Sequence, residues 1–316
     1  MIKWVLLTLA VLLAAFGALF WWATANASVG TLDRVDGLFT GGDATLVQGP
    51  VQYGPADEQV LFVHRPGGAD AATPLPVLIF IHGGSWRDGD PADYGFVARN
   101  LAPEGFVVVL AGYRKEERGQ YPAMLEDAAG TLRWIVDNIG QAGGDPSRIY
   151  LMGHSAGAYN AVQLALDPQW LTLAGLPQDA VDGVIGLAGP YDFLPLDSDA
   201  TRLTFGSHTP LEETQPINAV RPDAPPMLLL HGSEDTVVYP RNSTDLTAAL
   251  IDAGSPAEAV EFTGMDHVAI LTTLARPFDR DPRVKEAVTT WLREREEDRV
   301  DAAGSPASAG VQPPAP

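Results

Sequence analysis

Five short, mostly apolar runs, several of them rich in β-branched residues, recur along this chain, and the residues between them carry helical spacing. The runs are Val77-Leu78-Ile79-Phe80-Ile81, Phe106-Val107-Val108-Val109-Leu110, Arg148-Ile149-Tyr150-Leu151-Met152, Val184-Ile185-Gly186-Leu187 and Met227-Leu228-Leu229-Leu230. Nearly continuous apolar runs of this length suit strands buried on both faces, and strands that alternate with helices build a parallel sheet with crossover helices. Val51 to Val63 alternates instead and suits an antiparallel edge hairpin. The clearest helical stripe lies in Met124 to Ile139, where Leu125, Ala128, Ala129, Leu132, Ile135, Val136 and Ile139 share one face. Further helices are predicted near Ala156–Leu166, Arg241–Ala253 and Arg283–Arg295. The expected class is α/β, a mostly parallel central sheet with helices on both faces. In such sheets functional groups gather beyond the C-terminal strand ends.

A chain of 316 residues with 46% hydrophobic content can bury one large core, which is assigned to 45–297. Residues 28–44, with Gly and Asp but weak periodicity, read as a linker, and the Ala-, Gly-, Ser- and Pro-rich stretch 298–316 reads as a disordered tail. The formal net charge of -20 repels phosphate backbones, so nucleic acid is excluded as the expected partner. With no cysteine, disulfides, thiolate metal sites and cysteine nucleophiles are excluded as well. Residues 1–27 read as a membrane-directed segment. After Lys3, the run Trp4 to Ala23 is uncharged and nearly all apolar, and about 20 such residues span a bilayer core. Ala25-Asn26-Ala27 also has the form of a signal-peptidase site, so the segment reads as an anchor or a cleaved leader, with the anchor favoured by its length and by Phe20-Trp21-Trp22. Lys3 precedes the apolar run, and Asp33, Asp36 and Asp43 outweigh Arg34 after it, which places the domain outside the cytoplasm.

Gly153-His154-Ser155-Ala156-Gly157 lies between a predicted strand and a predicted helix. That is the setting of a nucleophile elbow, a strained strand-to-helix turn that lifts a serine hydroxyl above the sheet. Glycine at 153 and 157 relieves the crowding such a turn creates. Ser155 is the candidate nucleophile. His82-Gly83-Gly84-Ser85-Trp86 directly follows the strand ending at Ile81, and small residues there let backbone N–H groups approach an oxyanion. The N–H groups of Gly83 or Gly84, with that of Ala156, are the candidate donors. Trp86 and Tyr159 are candidates for lining the pocket.

Elimination among six histidines leaves His267 as the base. His82 and His154 belong to the two motifs, His64 and His231 lie at strand ends, and His208 lies in a loop before Pro210. His267 alone is late, follows an acid candidate and opens a loop. Asp235, in the turn after the strand Met227–Leu230, is the acid that would orient it, with Glu234 and then Asp192 as alternatives. Ser155, Asp235 and His267 then occur in the chain order of the α/β-hydrolase fold rather than those of the two common serine-protease designs.

Together, the HGGSW element, the GHSAG elbow and Tyr121-Pro122-Ala123 resemble the α/β-hydrolase superfamily, in the branch of carboxylesterases and of kynurenine-formamidase-like and feruloyl-esterase-like enzymes. The hormone-sensitive-lipase-like esterases usually read HGGG, and Ser85 stands here at the third glycine. The resemblance implies the α/β-hydrolase fold over about 45–295 and a Ser155-His267-Asp235 triad. The expected reaction is hydrolysis of small carboxylic esters through an acyl-enzyme, with no cofactor and no metal. An amidase, arylformamidase or small peptidase would use the same residues, a lipase would need a large apolar lid, and a tethered noncatalytic binding protein would show a broken triad.

Overall fold

The computed structural model describes residues 28–39, 43–70 and 73–304. Eight strands form one sheet in the order β1-β2-β4-β3-β5-β6-β7-β8. They are β1 (Ala44–Gln52), β2 (Val60–Pro66), β3 (Leu75–Ile81), β4 (Val107–Ala111), β5 (Gly144–His154), β6 (Gly183–Leu187), β7 (Met227–Gly232) and β8 (Ala257–Phe262). The six strands from β4 to β8 in that order are parallel, and β1 and β2 are the antiparallel edge hairpin. The hairpin is longer than the alternation alone suggests: its strands pair Ala44 with Pro66 at one end and Gln52 with Val60 at the other.

The central strands are apolar throughout because both faces are covered. In β3, Val77, Ile79 and Ile81 enter one core with α3 (Ala123–Asn138) and α4 (Ala156–Leu166). Leu78 and Phe80 enter the other, against α2 (Gly95–Leu101) and α9 (Arg283–Gly304). Between them the chain forms α5 (Pro168–Leu173), α6 (Asp199–Phe205), α7 (Arg241–Ala253) and the short α8 (Ala269–Thr272). The architecture is the expected one, a mostly parallel sheet covered by helices on both faces.

Two boundaries differ. The stretch read as a linker is largely a helix, α1 (Val29–Phe39), docked on α2. Its anchor is electrostatic: Asp36, fully buried, accepts from Arg99 Nε at 2.6 Å and Asn100 Nδ2 at 2.9 Å, and Asp33 accepts from Phe96 N at 2.7 Å. Partners 63 and 64 residues away in sequence leave no periodic signal, so the helix is invisible to pattern reading. At the other end, the tail expected from 298 begins instead as a continuation of α9 to Gly304. Arg299 holds it there through Asp182 and the Ser147 carbonyl. Residues 305–316 and the membrane-directed segment 1–27 lie outside the described residues. Among the described residues no helix is long and apolar enough to cross a membrane.

Candidate active site

At the end of β5 the chain turns through Ser155, whose φ of 54° and ψ of -121° form a left-sided conformation that an L-residue adopts only under constraint. Two hydrogen bonds supply that constraint: Ser155 N donates to Leu187 O at 2.8 Å, and Tyr159 N donates to Ser155 O at 3.1 Å. The glycines flanking it are required by contact. A Cβ on Gly153 would lie 2.2 Å from Gly157 O, and one on Gly157 would lie 2.1 Å from Ile81 O. The elbow is pressed against itself and against the end of β3.

Held in this turn, Ser155 Oγ lies 2.9 Å from His267 Nε2, and His267 Nδ1 lies 2.7 Å from Asp235 Oδ2. The three residues come from the ends of β5, β7 and β8. Asp235 is buried, and its other oxygen accepts from the N–H groups of Val237 and Val238, each at 2.9 Å. Burial pushes its carboxyl up, but hydrogen bonds from His231 and His267, the Val238 N–H and the imidazolium charge outweigh it and hold the carboxyl well below its ordinary range. An ionised carboxylate on Nδ1 requires Nδ1–H, which leaves Nε2 a lone pair facing the serine hydroxyl. The alternatives for the acid are not in position. Glu234 is exposed beside Asp235, and Asp192 is exposed on the far cavity wall.

The HGGSW segment packs directly under the elbow. A Cβ on Gly83 would fall 3.0 Å from His154 O and 3.2 Å from Ser155 Cβ, tighter than ordinary contact, so any side chain there would press on the elbow. Gly84 has a φ of 122°, and Ser85 and Trp86 follow at 53° and 57°. Among the described residues, the N–H groups of Gly83, Gly84 and Ala156 meet no acceptor in the loops and turns around them. The fully buried His82 turns the strand into this loop: its ring stacks on Tyr113 and Tyr94, and Nδ1–H donates to Gly83 O at 2.7 Å. Burial lowers its pKa to about 4, so the ring is neutral.

Above the serine opens a cavity of about 360 Å³. Ser85, Trp86, Ser155 and Ala156 form its floor, and the loops after β6 and β7 form its walls through Phe193 and Tyr239. Trp86 takes the expected lining position, fixed by Nε1 donating to Asn160 Oδ1 at 3.1 Å. Tyr159 does not line the cavity. It is fully buried behind Trp86, edge-on at 5.4 Å, with its hydroxyl donating to Thr214 O at 2.8 Å. A helix-borne aromatic one turn beyond Ser155 points down into the core, which explains the difference.

Three supporting residues hold positions that sequence reasoning does not assign. His231 Nε2 faces both Val238 O at 2.8 Å and Asp235 Oδ2 at 3.3 Å. Asn242 Oδ1 accepts from the N–H groups of Tyr191 and Asp192 and shapes the cavity wall. His154, inside the elbow, reaches His267 O at 2.9 Å. Only His154 carries a signal in the sequence, its place in the motif.

A mostly parallel sheet with this strand order, a sharp serine turn after its long central strand β5, and an Asp and a His beyond the ends of β7 and β8 define the α/β-hydrolase fold. The BD-FAE family model matches residues 64–250, more than half of the chain, and the chain belongs to that family. It is similar to the esterase LipC of Mycobacterium tuberculosis, 33% identical over 209 residues, which cover 60% of this chain and 51% of that protein. It is also similar to the esterase LipQ of that organism, 30% identical over 260 residues, 77% of this chain and 61% of that one. The isoprenylcysteine alpha-carbonyl methylesterase ICME of Arabidopsis thaliana is 29% identical over 242 residues, 70% and 56% of the two chains. The chain thus spans between half and two thirds of the length of these relatives. Esterase B from Lactobacillus rhamnosis is similar in structure, with a TM-score of 0.72, 21% identity and coverage of 93% of this chain and 98% of that one. At that identity the likeness is one of fold.

Proposed function

We propose that this protein is a serine hydrolase of small carboxylic esters. The observation that carries the reading is the aligned pair of contacts at 2.9 Å and 2.7 Å that joins Ser155 Oγ through His267 to the buried carboxylate of Asp235. His267 Nε2 takes the hydroxyl proton as Oγ attacks the ester carbonyl, whose π electrons move to oxygen. The N–H groups of Ala156 and of Gly83 or Gly84 meet that oxyanion, each donor worth about 10²–10³ in rate. Collapse breaks the bond to the alkoxide oxygen, which leaves with the proton from Nε2, and water repeats the sequence on the acyl-enzyme. A cavity of about 360 Å³ is at the small end of ligand sites and supports small esters over long acyl chains. The names of LipC, LipQ and ICME support ester over amide substrates. The reaction calls on no metal or organic cofactor.

The membrane remains part of the proposal. The apolar run Trp4 to Ala23 precedes α1, and the charge bias around it favours a domain tethered or released outside the cytoplasm. The intact mass of the mature protein separates an anchor from a cleaved leader. For the chemistry, Ser155→Ala is expected to fold and to lose nearly all turnover of p-nitrophenyl acetate. Unchanged turnover, or a folded wild-type protein that a fluorophosphonate does not label at Ser155, refutes the reading.

A further inference from the structure

The base sits on a loop, Thr263 to Val268, between the end of β8 and α8. Most of the hydrogen bonds that fix this loop lead to the acid's loop or stay local: Gly264 N donates to Ser233 Oγ at 3.0 Å, Glu234 N to Met265 O at 2.9 Å, and Val268 N to Asp266 Oδ1 at 3.0 Å. They hold His267 to Asp235. They do nothing to hold it to Ser155, which stands on another strand.

Among the described residues, one bond ties the backbone of the base loop to the elbow, from His154 Nε2 to His267 O at 2.9 Å. A carbonyl oxygen only accepts, so Nε2 carries the proton and donates. His154 is almost fully buried, and its ring lies 5.0 Å from that of His267. Burial, then the nearby His267, lower its pKa to about 3, so it stays a neutral donor while His267 cycles through its imidazolium. Ser155 is the next residue in the chain. The bond therefore spans between the residue beside the nucleophile and the backbone of the base itself.

We propose that His154 is a positioning residue, whose Nε2–H clamps the His267 carbonyl to the elbow and so sets the distance between His267 Nε2 and Ser155 Oγ. The inference rests on the proposed serine-hydrolase reading. Without the clamp the base loop keeps its bonds to the acid loop and drifts relative to the serine, and a misplacement near 1 Å at reacting groups costs on the order of 10²-fold in rate. Substrate binding uses other surfaces of the cavity, so KM is spared.

The test compares His154→Leu, His154→Gln and His154→Asn in the full chain, with kcat and KM on p-nitrophenyl acetate and the rate of fluorophosphonate labelling. Glutamine can bring an amide N–H to the Nε2 position, asparagine is one methylene too short, and leucine has no donor. The expected result for His154→Leu is a fall in kcat of about 10- to 100-fold with KM within about twofold, mirrored in labelling. His154→Gln recovers kcat to within about threefold of wild type, and His154→Asn does not. If His154→Leu does not fold, the Gln and Asn pair alone decides. Wild-type kcat in His154→Leu, or no advantage of Gln over Asn, overturns the inference. Either result with Ser155→Ala still inactive leaves the hydrolase reading standing, whereas a wild-type chain without turnover removes that reading first.

Discussion

Replacing Asp235 by asparagine changes one heavy atom and should inactivate the site, for a reason visible in the backbone. Oδ1 of Asp235 accepts the N–H groups of Val237 and Val238, each at 2.9 Å. An asparagine must keep its carbonyl oxygen there, because turning the amide around would set two donors against a third. That orientation puts its NH₂ where Oδ2 stood, facing His267 Nδ1 at about the present 2.7 Å. Nδ1 must then give up its hydrogen and accept, which moves the ring proton to Nε2. An Nε2–H cannot take the proton of Ser155. Loss of the correct tautomer costs on the order of 10⁴-fold in kcat, equivalent to about 5 kcal/mol of transition-state stabilisation at 1.36 kcal/mol per decade. The lost charge-assisted bond should lower stability by only about 1–3 kcal/mol. Steady-state hydrolysis of p-nitrophenyl acetate near neutral pH, alongside thermal unfolding, measures both. A folded Asp235→Asn protein with kcat within tenfold of wild type would refute this account of the acid.

Gly157→Ala should lower stability by about 3 kcal/mol, at the upper end of the usual overpacking cost, because its Cβ would meet the backbone oxygen of Ile81 at 2.1 Å and neither strand end can yield. Gly140→Ala, with nothing within 4 Å, is the control and should stay within about 0.5 kcal/mol; equal melting temperatures for the two variants would contradict the crowding argument. Acid should destabilise the fold in two stages. His64, His82 and His154 are held at about 4, 4 and 3 by burial, below the unfolded value near 6.5. Between about pH 6.5 and 4 the unfolded chain therefore binds more protons, and stability falls as pH falls. Asp235, with its pKa depressed, contributes stability above about pH 4 that is lost only below it. Urea midpoints measured from pH 8 to 4 follow the first stage, and a flat profile between 7 and 5 would rule it out.

The central strands are legible in the sequence because a strand buried on both faces must be apolar at nearly every position, as Val77 to Ile81 is. Helix α4 is legible to the residue, since the elbow fixes its start. Helix α1 is not, because what holds it is Asp36 against Arg99 across 63 positions, and a buried ion pair has no period. For the site, residue type and chain order single out Ser155, Asp235 and His267, because each must stand just past a strand end. The fate of Tyr159 depends on which way a helix face turns, and a motif does not record that. His154 shows the limit most clearly: it is conspicuous in the motif, yet its partner is a backbone carbonyl 113 positions on, and backbone carbonyls are the same at every residue.

What joins the three loops is the sheet itself. Where each strand ends, the next residues donate across to the neighbouring strand: Ser155 N to Leu187 O at 2.8 Å, Ala188 N to Leu230 O at 2.8 Å, and Ser233 N to Phe262 O at 3.0 Å. The ladder thus continues one step past the strands, from the elbow through β6 and β7 to β8, and fixes the heights of the loops relative to each other. Three inter-strand spacings separate β5 from β8, about 14 Å in all. The chain has five residues from Phe262 to His267, and five extended residues reach about 17 Å. The loop does not run extended, because a turn at its start has Met265 N donating to Phe262 O at 3.3 Å, and the His267 side chain covers part of the crossing. Length therefore leaves the final position of His267 along that path undetermined. Bonds at the two ends of the crossing supply the rest, Glu234 N to Met265 O on the acid side and His154 Nε2 to His267 O on the serine side. A site assembled from three strand ends needs both, because each fixes His267 against a different partner.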